Sequence, residues 1–319
     1  MTVDVAGAAA ELLAANSILI LTHRRPDGDT TGCAGALCRG LRQLGKRAYI
    51  LENPDITKRY ATLITPCYPP EDFNPQYIVT TDIAEYKLFS DNAVQYEGKI
   101  DLVIDHHRSN PLFGKKNLVR TDAGGCAEVI YDVLMAMGVK LTNEIAECIY
   151  VGVSTDTGCF KYSNTTAHTH AVAAACLSAG IDGGEINRAL FETKSRPRFE
   201  MERIVFDTME FYEDGAIALA LLRRADIDKT GADMDDLDSI ASLTRQIEGV
   251  QIGLTLTENA DGTVKASART TKEMDASAIC KKVGGGGHIR AAGASFDCSL
   301  DEAKKRLLAA ATEQYHANK

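Results

Sequence analysis

Three β-rich apolar runs in the first half of the chain stop abruptly at ionisable residues. That arrangement limits the possible folds more than any other feature of the sequence. Ser17–Thr22 runs into His23-Arg24-Arg25-Pro26-Asp27-Gly28-Asp29, Tyr77–Thr81 ends at Asp82, and Ile100–Ile104 ends at Asp105-His106-His107. Ionisable groups at the exit of a buried strand are costly unless they have partners. Between and after these runs the pattern is helical, over Thr31–Leu44, Cys126–Met137, Asn143–Val153 and Ala167–Ala179, while Lys46–Leu51 reads as another strand. Strands alternating with helices predict an α/β fold, a mainly parallel sheet with helices on both faces. In open sheets of this kind, ligands bind beyond the carboxyl ends of the strands. Clusters far apart in sequence are therefore expected to converge.

The residue types suggest what would converge. Imidazoles mixed with carboxylates suit manganese, magnesium, iron or zinc. Taken singly, each cluster has a plainer reading. Asp27 and Asp29 would serve an ordinary strand-to-helix turn, Asp82 a helix N-cap, and Asp156, in Gly152-Val153-Ser154-Thr155-Asp156-Thr157-Gly158, a turn. Taken together they favour a metal site. His168 and His170 fall in a helical stretch and read as structural or exposed, and His316 lies in the tail.

The second half changes character. A charged helical stretch, Gly183–Arg203, contains a break at Arg196-Pro197-Arg198. Ile217–Leu222, Val250–Thr257 and Thr263–Ala268 then read as strands of a separate sheet, and Leu300–Tyr315 as an amphipathic helix. A length of 319 residues suits two domains. The expected division is a catalytic domain over 1–185, a helical linker over 186–212 and a smaller α/β substrate-binding domain over 213–319. The segment Gly284-Gly285-Gly286-Gly287-His288 frees the backbone to approach a ligand closely. Its N–H groups, ahead of a helix start, would form an anion site, with His288 bonding a phosphate. Arg269, in Ser267-Ala268-Arg269, could grip a phosphate through its bidentate fork, or could be an ordinary surface arginine.

Composition sets limits. Nine cysteines, an odd number with no Cys-x-x-Cys pair, argue against a disulfide framework or a structural zinc site. The net charge of -9, from 35 basic and 44 acidic side chains, argues against long duplex nucleic acid as a partner. No apolar run is long enough to span a bilayer. The apolar stretch near the start is too short for a signal peptide, so a cytoplasmic protein is expected.

These motifs, in this order, resemble those of the DHH phosphoesterase family, whose name is the triplet seen here as Asp105-His106-His107. The resemblance extends from about Ser17 to Leu308, and the Gly-rich segment resembles the DHH-associated domain. The layout is similar to the nanoRNase/pAp-phosphatase subgroup. The resemblance implies that His23, Asp27 and Asp82 hold one metal ion and that Asp29, Asp82, His106 and Asp156 hold a second. Asp82 would bridge the two. It also implies that Asp105 orients a neighbouring histidine, His107 faces the substrate phosphate, and the segment Gly285, Gly286, Gly287 and His288 binds substrate, beside which Arg269 is the candidate that the residue type itself offers. The cofactors would be two divalent ions, manganese before magnesium or cobalt. The implied substrates are short single-stranded RNA and pAp, with no membrane partner and with room for a homodimer. Two alternatives remain: a soluble cyclic-dinucleotide phosphodiesterase, and a nucleotide-binding regulator without catalysis. Gly32-Cys33 stands where a Gly-Ser pair is commoner in the family.

Overall fold

The structure, a computed structural model, describes all residues except Met234, Asp235, Asp238, Lys272 and Lys319, and the backbone alone of Ser239 and His288. The chain forms two compact units, Met1–Thr193 and Lys194–Lys319.

The first unit is built on five parallel strands in the order β2-β1-β3-β4-β5, with β1 Ile18–Leu21, β2 Ala48–Ile50, β3 Tyr77–Thr81, β4 Leu102–Asp105 and β5 Lys116–Val119. β1 reads Ile-Leu-Ile-Leu and is buried at all four positions, as a parallel strand covered on both faces requires. One face of the sheet packs on α1 (Val5–Ala14), α2 (Gly28–Gln43), α3 (Cys126–Ala136), α4 (Asn143–Asp156) and α5 (Ala167–Ser178), through Ile18, Ile20, Val79, Leu102 and Ile104. The predicted α/β class and parallel sheet are present, but the cover of the second face differs from the expectation of helices. There Leu19, Leu21, Ile78 and Val103 meet Ile83, Phe89, Ala93 and Ile100. These come from a connection containing only short 3-10 turns at Tyr86–Leu88 and Val94–Tyr96. Local bonds such as Ser90 Oγ to Asn92 Oδ1, 2.9 Å, favour turns over a helix in this stretch.

One close helix contact sets the geometry of the site. A Cβ on Gly32 of α2 would lie 2.3 Å from the Cys148 carbonyl oxygen of α4 and 3.0 Å from the Gly152 nitrogen. The two helices therefore meet backbone to backbone, and Asp29 and Asp156 are carried on this pair. Gly32→Ala is expected to destabilise the protein by about 2–3 kcal/mol, because a backbone cannot yield as a side chain can. Equilibrium denaturant unfolding checks this. An unchanged midpoint would mean that the helices separate freely.

The second unit has a mixed sheet in the order β10-β11-β9-β8-β7-β6. Its strands are β6 Glu210–Tyr212, β7 Ile217–Leu222, β8 Ile252–Glu258, β9 Val264–Thr270, β10 Gly286–His288 and β11 Ala291–Phe296. One face packs Leu254, Leu256, Ala266 and Ala268 against Leu300, Leu307 and Ala311 of the last helix, Leu300–Ala317. On the other face, Ala220 and Leu222 meet Met201 and Val205 of α6 (Arg196–Thr208).

Two local expectations are corrected here. Arg196-Pro197-Arg198 is no break but the first turn of α6, capped by Ser195, whose Oγ accepts from the Arg198 N–H at 3.0 Å. Proline suits a first turn, where its missing N–H would have had no intrahelical partner. The boundary between the compact units falls at Thr193/Lys194, inside the span 186–212. The Gly-rich segment precedes no helix: Gly286–His288 pairs with Ala291–Gly293 as an antiparallel hairpin. The glycines serve close approach within that hairpin. A Cβ on Gly285 would stand 2.2 Å from the Gly293 carbonyl oxygen, and one on Gly287, at φ +141°, 2.6 Å from the Ala292 Cα.

Candidate metal centre

The first polar cluster sits where β1 hands over to α2. Asp27 is the N-cap of α2, its Oδ1 accepting from the N–H groups of Asp29 (3.0 Å) and Thr30 (3.1 Å). Thr30 Oγ1 donates to the Thr81 carbonyl at 2.9 Å, tying this turn to the end of β3. Just past that end, Asp82 adopts φ +58° and is 3% exposed. Its Oδ1 lies 3.5 Å from both His106 Nε2 and His107 Nδ1, and its Oδ2 lies 3.8 Å from His23 Nε2. On the far side of the centre, Asp156 closes α4, with Oδ2 3.8 Å from His106 Nε2.

The histidines are oriented from behind. His23 Nδ1 donates to the Arg24 carbonyl at 2.8 Å and His106 Nδ1 to that of Ala123 at 3.4 Å, so both Nε2 atoms face the carboxylates. A backbone carbonyl behind one ring nitrogen is the usual arrangement for a metal-binding histidine. Asp105 lies outside this set and is fully buried. Its Oδ1 accepts from the His106 N–H and from His107 Nδ1, each at 2.8 Å, and its Oδ2 accepts from the Asn110 amide at 2.6 Å. Asp29 is held by main chain. Its two oxygens accept from the N–H groups of Cys126 (2.6 Å) and Ala127 (2.9 Å) at the start of α3, and the Cys33 thiol lies 3.5 Å away.

Three groups have ligand atoms mutually within 4.8 Å: His23 with Asp27 and Asp82, Asp82 with His106 and His107, and Asp29 with His106 and Asp156. Seven of the eight residues singled out in the first half of the sequence thus share one neighbourhood, and the eighth, Asp105, stands behind it, bonded to His107. Asp82 Oδ1 is buried and has no hydrogen-bond donor. Burial, reinforced by the charges of neighbouring aspartates, pushes the carboxyls of Asp82 and Asp29 up and that of Asp156 up to about 8. An unpartnered carboxylate oxygen among repelling carboxylates, with two imidazole nitrogens aimed at them, is a donor set that fits divalent cations.

A raised carboxyl stabilises the fold fully below its unfolded value, about 3.9 for aspartate, and that contribution is lost as pH rises through the folded value. Chelator-treated protein is therefore expected to lose thermal stability as pH climbs from about 4 to about 8, the range that Asp156 sets between its unfolded and folded values. Saturating manganese should flatten the trend, because the cation takes the proton's place. Melting curves across that range with and without manganese check it, and identical slopes would count against a cation at this cluster.

In the second unit, Arg269 lies in β9 and its guanidinium donates to the Ala268 carbonyl at 3.2 Å. Gly285 and Gly286 are half-buried and Gly287 is exposed, while the His288 side chain lies outside the described residues. Sequence reasoning missed two supports. Asn110 holds Asp105, and the Asn164 side chain donates to the Gly124 carbonyl at 2.6 Å and to Asp156 Oδ2 at 3.3 Å. Asn110 was within reach of inspection, five residues past Asp105 in a turn-rich segment. Nothing in the sequence marks Asn164.

Comparison with known proteins places these features. The model of the DHH family N-terminal domain matches residues 17–153, and that of the DHHA1 domain matches residues 214–317. The bifunctional oligoribonuclease and PAP phosphatase NrnA of Thermus thermophilus is 34% identical over 93% of this chain and 90% of its own. Its Bacillus subtilis counterpart of the same name is 26% identical over 92% and 93%. Among solved structures, an exopolyphosphatase-related protein from Bacteroides fragilis superposes with a TM-score of 0.86, at 23% identity, over 97% of this chain and 96% of its own. RecJ of T. thermophilus in complex with Mn2+ shares the fold at a TM-score of 0.60 and 16% identity, over 97% of this chain and 55% of its own.

Proposed function

The chain belongs to the DHH family, and on that footing we propose that it is a metal-dependent phosphoesterase that hydrolyses short oligoribonucleotides to mononucleotides and pAp to AMP. The observation that carries this reading is the convergence of three strand-end clusters and the end of α4 around the donor-less Asp82 Oδ1. The similarity to NrnA along nearly all of both chains supports the substrate class.

His23, Asp27 and Asp82 would hold one cation, and Asp29, Asp82, His106 and Asp156 a second, with manganese preferred. Bound there, the cations would supply Lewis acidity and lower the pKa of water at the site. The chain's own residues do the positioning. The carbonyls of Arg24 and Ala123 keep the Nε2 atoms of His23 and His106 turned inward. Asp105 accepts the Nδ1–H of His107, which leaves Nε2 of that half-buried ring to meet a phosphate oxygen and, when protonated, to donate to it. In the second unit, Arg269 and the hairpin around Gly285, Gly286, Gly287 and His288 are the candidate substrate-binding residues. Nine free cysteines fit a reducing, cytoplasmic setting.

The test is the purified protein with manganese against pAp, RNA of two to five nucleotides, a 24-mer and cyclic di-AMP, side by side. We expect pAp and the short RNAs to be hydrolysed, and the 24-mer at least about tenfold more slowly. A net charge of -9 opposes a long polyanion. Equal rates on dinucleotide and 24-mer would overturn the length preference. Cleavage of cyclic di-AMP alone would move the protein to the cyclic-dinucleotide phosphodiesterases, and no hydrolysis with every ligand intact would favour a binding protein.

A further inference from the structure

The short segment Ala123–Ala127 touches all three members of one ligand group, Asp29, His106 and Asp156. Its main chain places two of them. The Ala123 carbonyl accepts from His106 Nδ1 at 3.4 Å, and the N–H groups of Cys126 and Ala127 hold the two oxygens of Asp29. Gly125 sits between the carboxylates: a Cβ there would lie 3.1 Å from Asp29 Oδ2 and 3.2 Å from the Asp156 Cβ. Asp156 differs from its two companions. It enters from the end of α4, and a side chain links it to the segment. The Asn164 amide donates to the Gly124 carbonyl at 2.6 Å, to the Asp156 carbonyl at 3.2 Å and to Asp156 Oδ2 at 3.3 Å. Among the described residues, this is the hydrogen bond that reaches the Asp156 carboxylate.

The route from Asp156 to Asn164 is strained. Gly158, Cys159 and Phe160 stand in succession at φ +58°, +60° and +62°, and a bulky aromatic rarely adopts that conformation. Thr157, fully buried, holds the turn closed. Its Oγ1 donates to the Val153 carbonyl at 2.6 Å and accepts from the Phe160 N–H at 3.2 Å. Sparsely populated backbone persists where its surroundings over-determine it, and it gathers at functional sites. The effect here is to turn the chain back past the end of α4, so that half-buried Asn164 meets Asp156.

We infer that Asn164 is a positioning residue for the second of the two cations proposed above. It fastens the Asp156 carboxylate to the frame that already carries Asp29 and His106, so that the three ligands face one point before an ion arrives. Repulsion from Asp29 favours a retreat of Asp156, and the last residue of a helix is free to fray. The amide opposes both movements. This inference rests on the metal-dependent reading of the site and not on the identity of the substrate.

The test titrates manganese into the chelator-treated full chain, with free ion read from its electron paramagnetic resonance signal, for wild type, Asn164→Ala and Asn164→Gln. Wild type is expected to bind two ions. Asn164→Ala should bind one of them as wild type does and the other about 10- to 100-fold more weakly, the scale found when the outer partner of a metal ligand is lost. Asn164→Gln keeps the donor and should recover part of the affinity. In assays, the manganese needed for half-maximal rate should rise by the same factor in Asn164→Ala, while kcat at saturating manganese and KM stay within about threefold. The chelator-treated variant should keep a cooperative thermal melt. Unchanged affinities, or an equal fall at both ions, would overturn the assignment, and loss of the cooperative melt would make Asn164 a structural residue only. If wild type binds manganese but hydrolyses no phosphoester, the proposed function fails and the binding curves alone decide the role of Asn164. If wild type binds no manganese, both readings fail.

Discussion

Asp82→Asn is expected to lower phosphoester hydrolysis by about a thousandfold or more while leaving the fold intact. Asparagine has the same size and tolerates the left-handed conformation that residue 82 adopts, at φ +58°. What it cannot supply is the second negative oxygen. Asp82 belongs to two of the three ligand groups, so one amide would weaken both metal positions at once. The same substitution should raise the melting temperature of chelator-treated protein. Burial and the charges of Asp29 and Asp27 make the Asp82 carboxylate unfavourable without a cation, and an amide removes that repulsion. Wild type should gain several degrees on adding manganese and the variant little. This opposite movement, less activity with greater metal-free stability, separates loss of a ligand from loss of structure. A variant that keeps wild-type rates would remove Asp82 from the mechanism.

The second large effect is expected at Asp105. Asp105→Asn should reduce kcat by about a hundredfold with little change in KM, the scale found when a group orienting a functional histidine is lost. Burial pushes this carboxyl up, but bonds from His107, Asn110 and the His106 N–H outweigh it and hold the net value below the usual carboxylate range. The group is therefore ionised at neutral pH, and its contribution to stability is present above the unfolded value and lost as pH falls through the folded one. An amide can present its NH2 group to His107, which reverses the donor relation and turns the ring or its tautomer. The rate should recover in Asp105→Glu more than in Asp105→Asn. Equal rates for wild type and Asp105→Asn would show that the His107 orientation does not matter.

Much of this was legible in the sequence where the chain is either fully buried or fully committed to function. β3 and β7 run over Tyr77–Thr81 and Ile217–Leu222, the bounds read from their apolar runs. The clustering of candidate ligands at strand ends was legible because a charge at the exit of an apolar run is too costly to stand there without a partner. β5 was missed. Its sequence Lys-Asn-Leu-Val is short and half polar, as an edge strand can be when its outer side meets only an isolated bridge, here from Thr2 to Asn117. The hairpin of β10 and β11 was missed because glycine and alanine have low strand propensity, and the pairing comes from close packing instead. The grip of Cys126 and Ala127 on Asp29 was invisible for a different reason: main-chain N–H groups leave no mark in residue identity.

The candidate metal centre draws every ligand from between His23 and Asp156, all within Met1–Thr193. This has a consequence for the order of events during synthesis. Domains fold as units on the ribosome, N-terminal first, while the chain lengthens at about 5–20 residues per second. By the time translation reaches the last helix, the first unit has had several seconds to close its sheet and bring its carboxylates together. Repulsion among those carboxylates opposes that closure until cations arrive. An ion taken up at this candidate centre could thus be captured before the unit that carries Arg269 is complete.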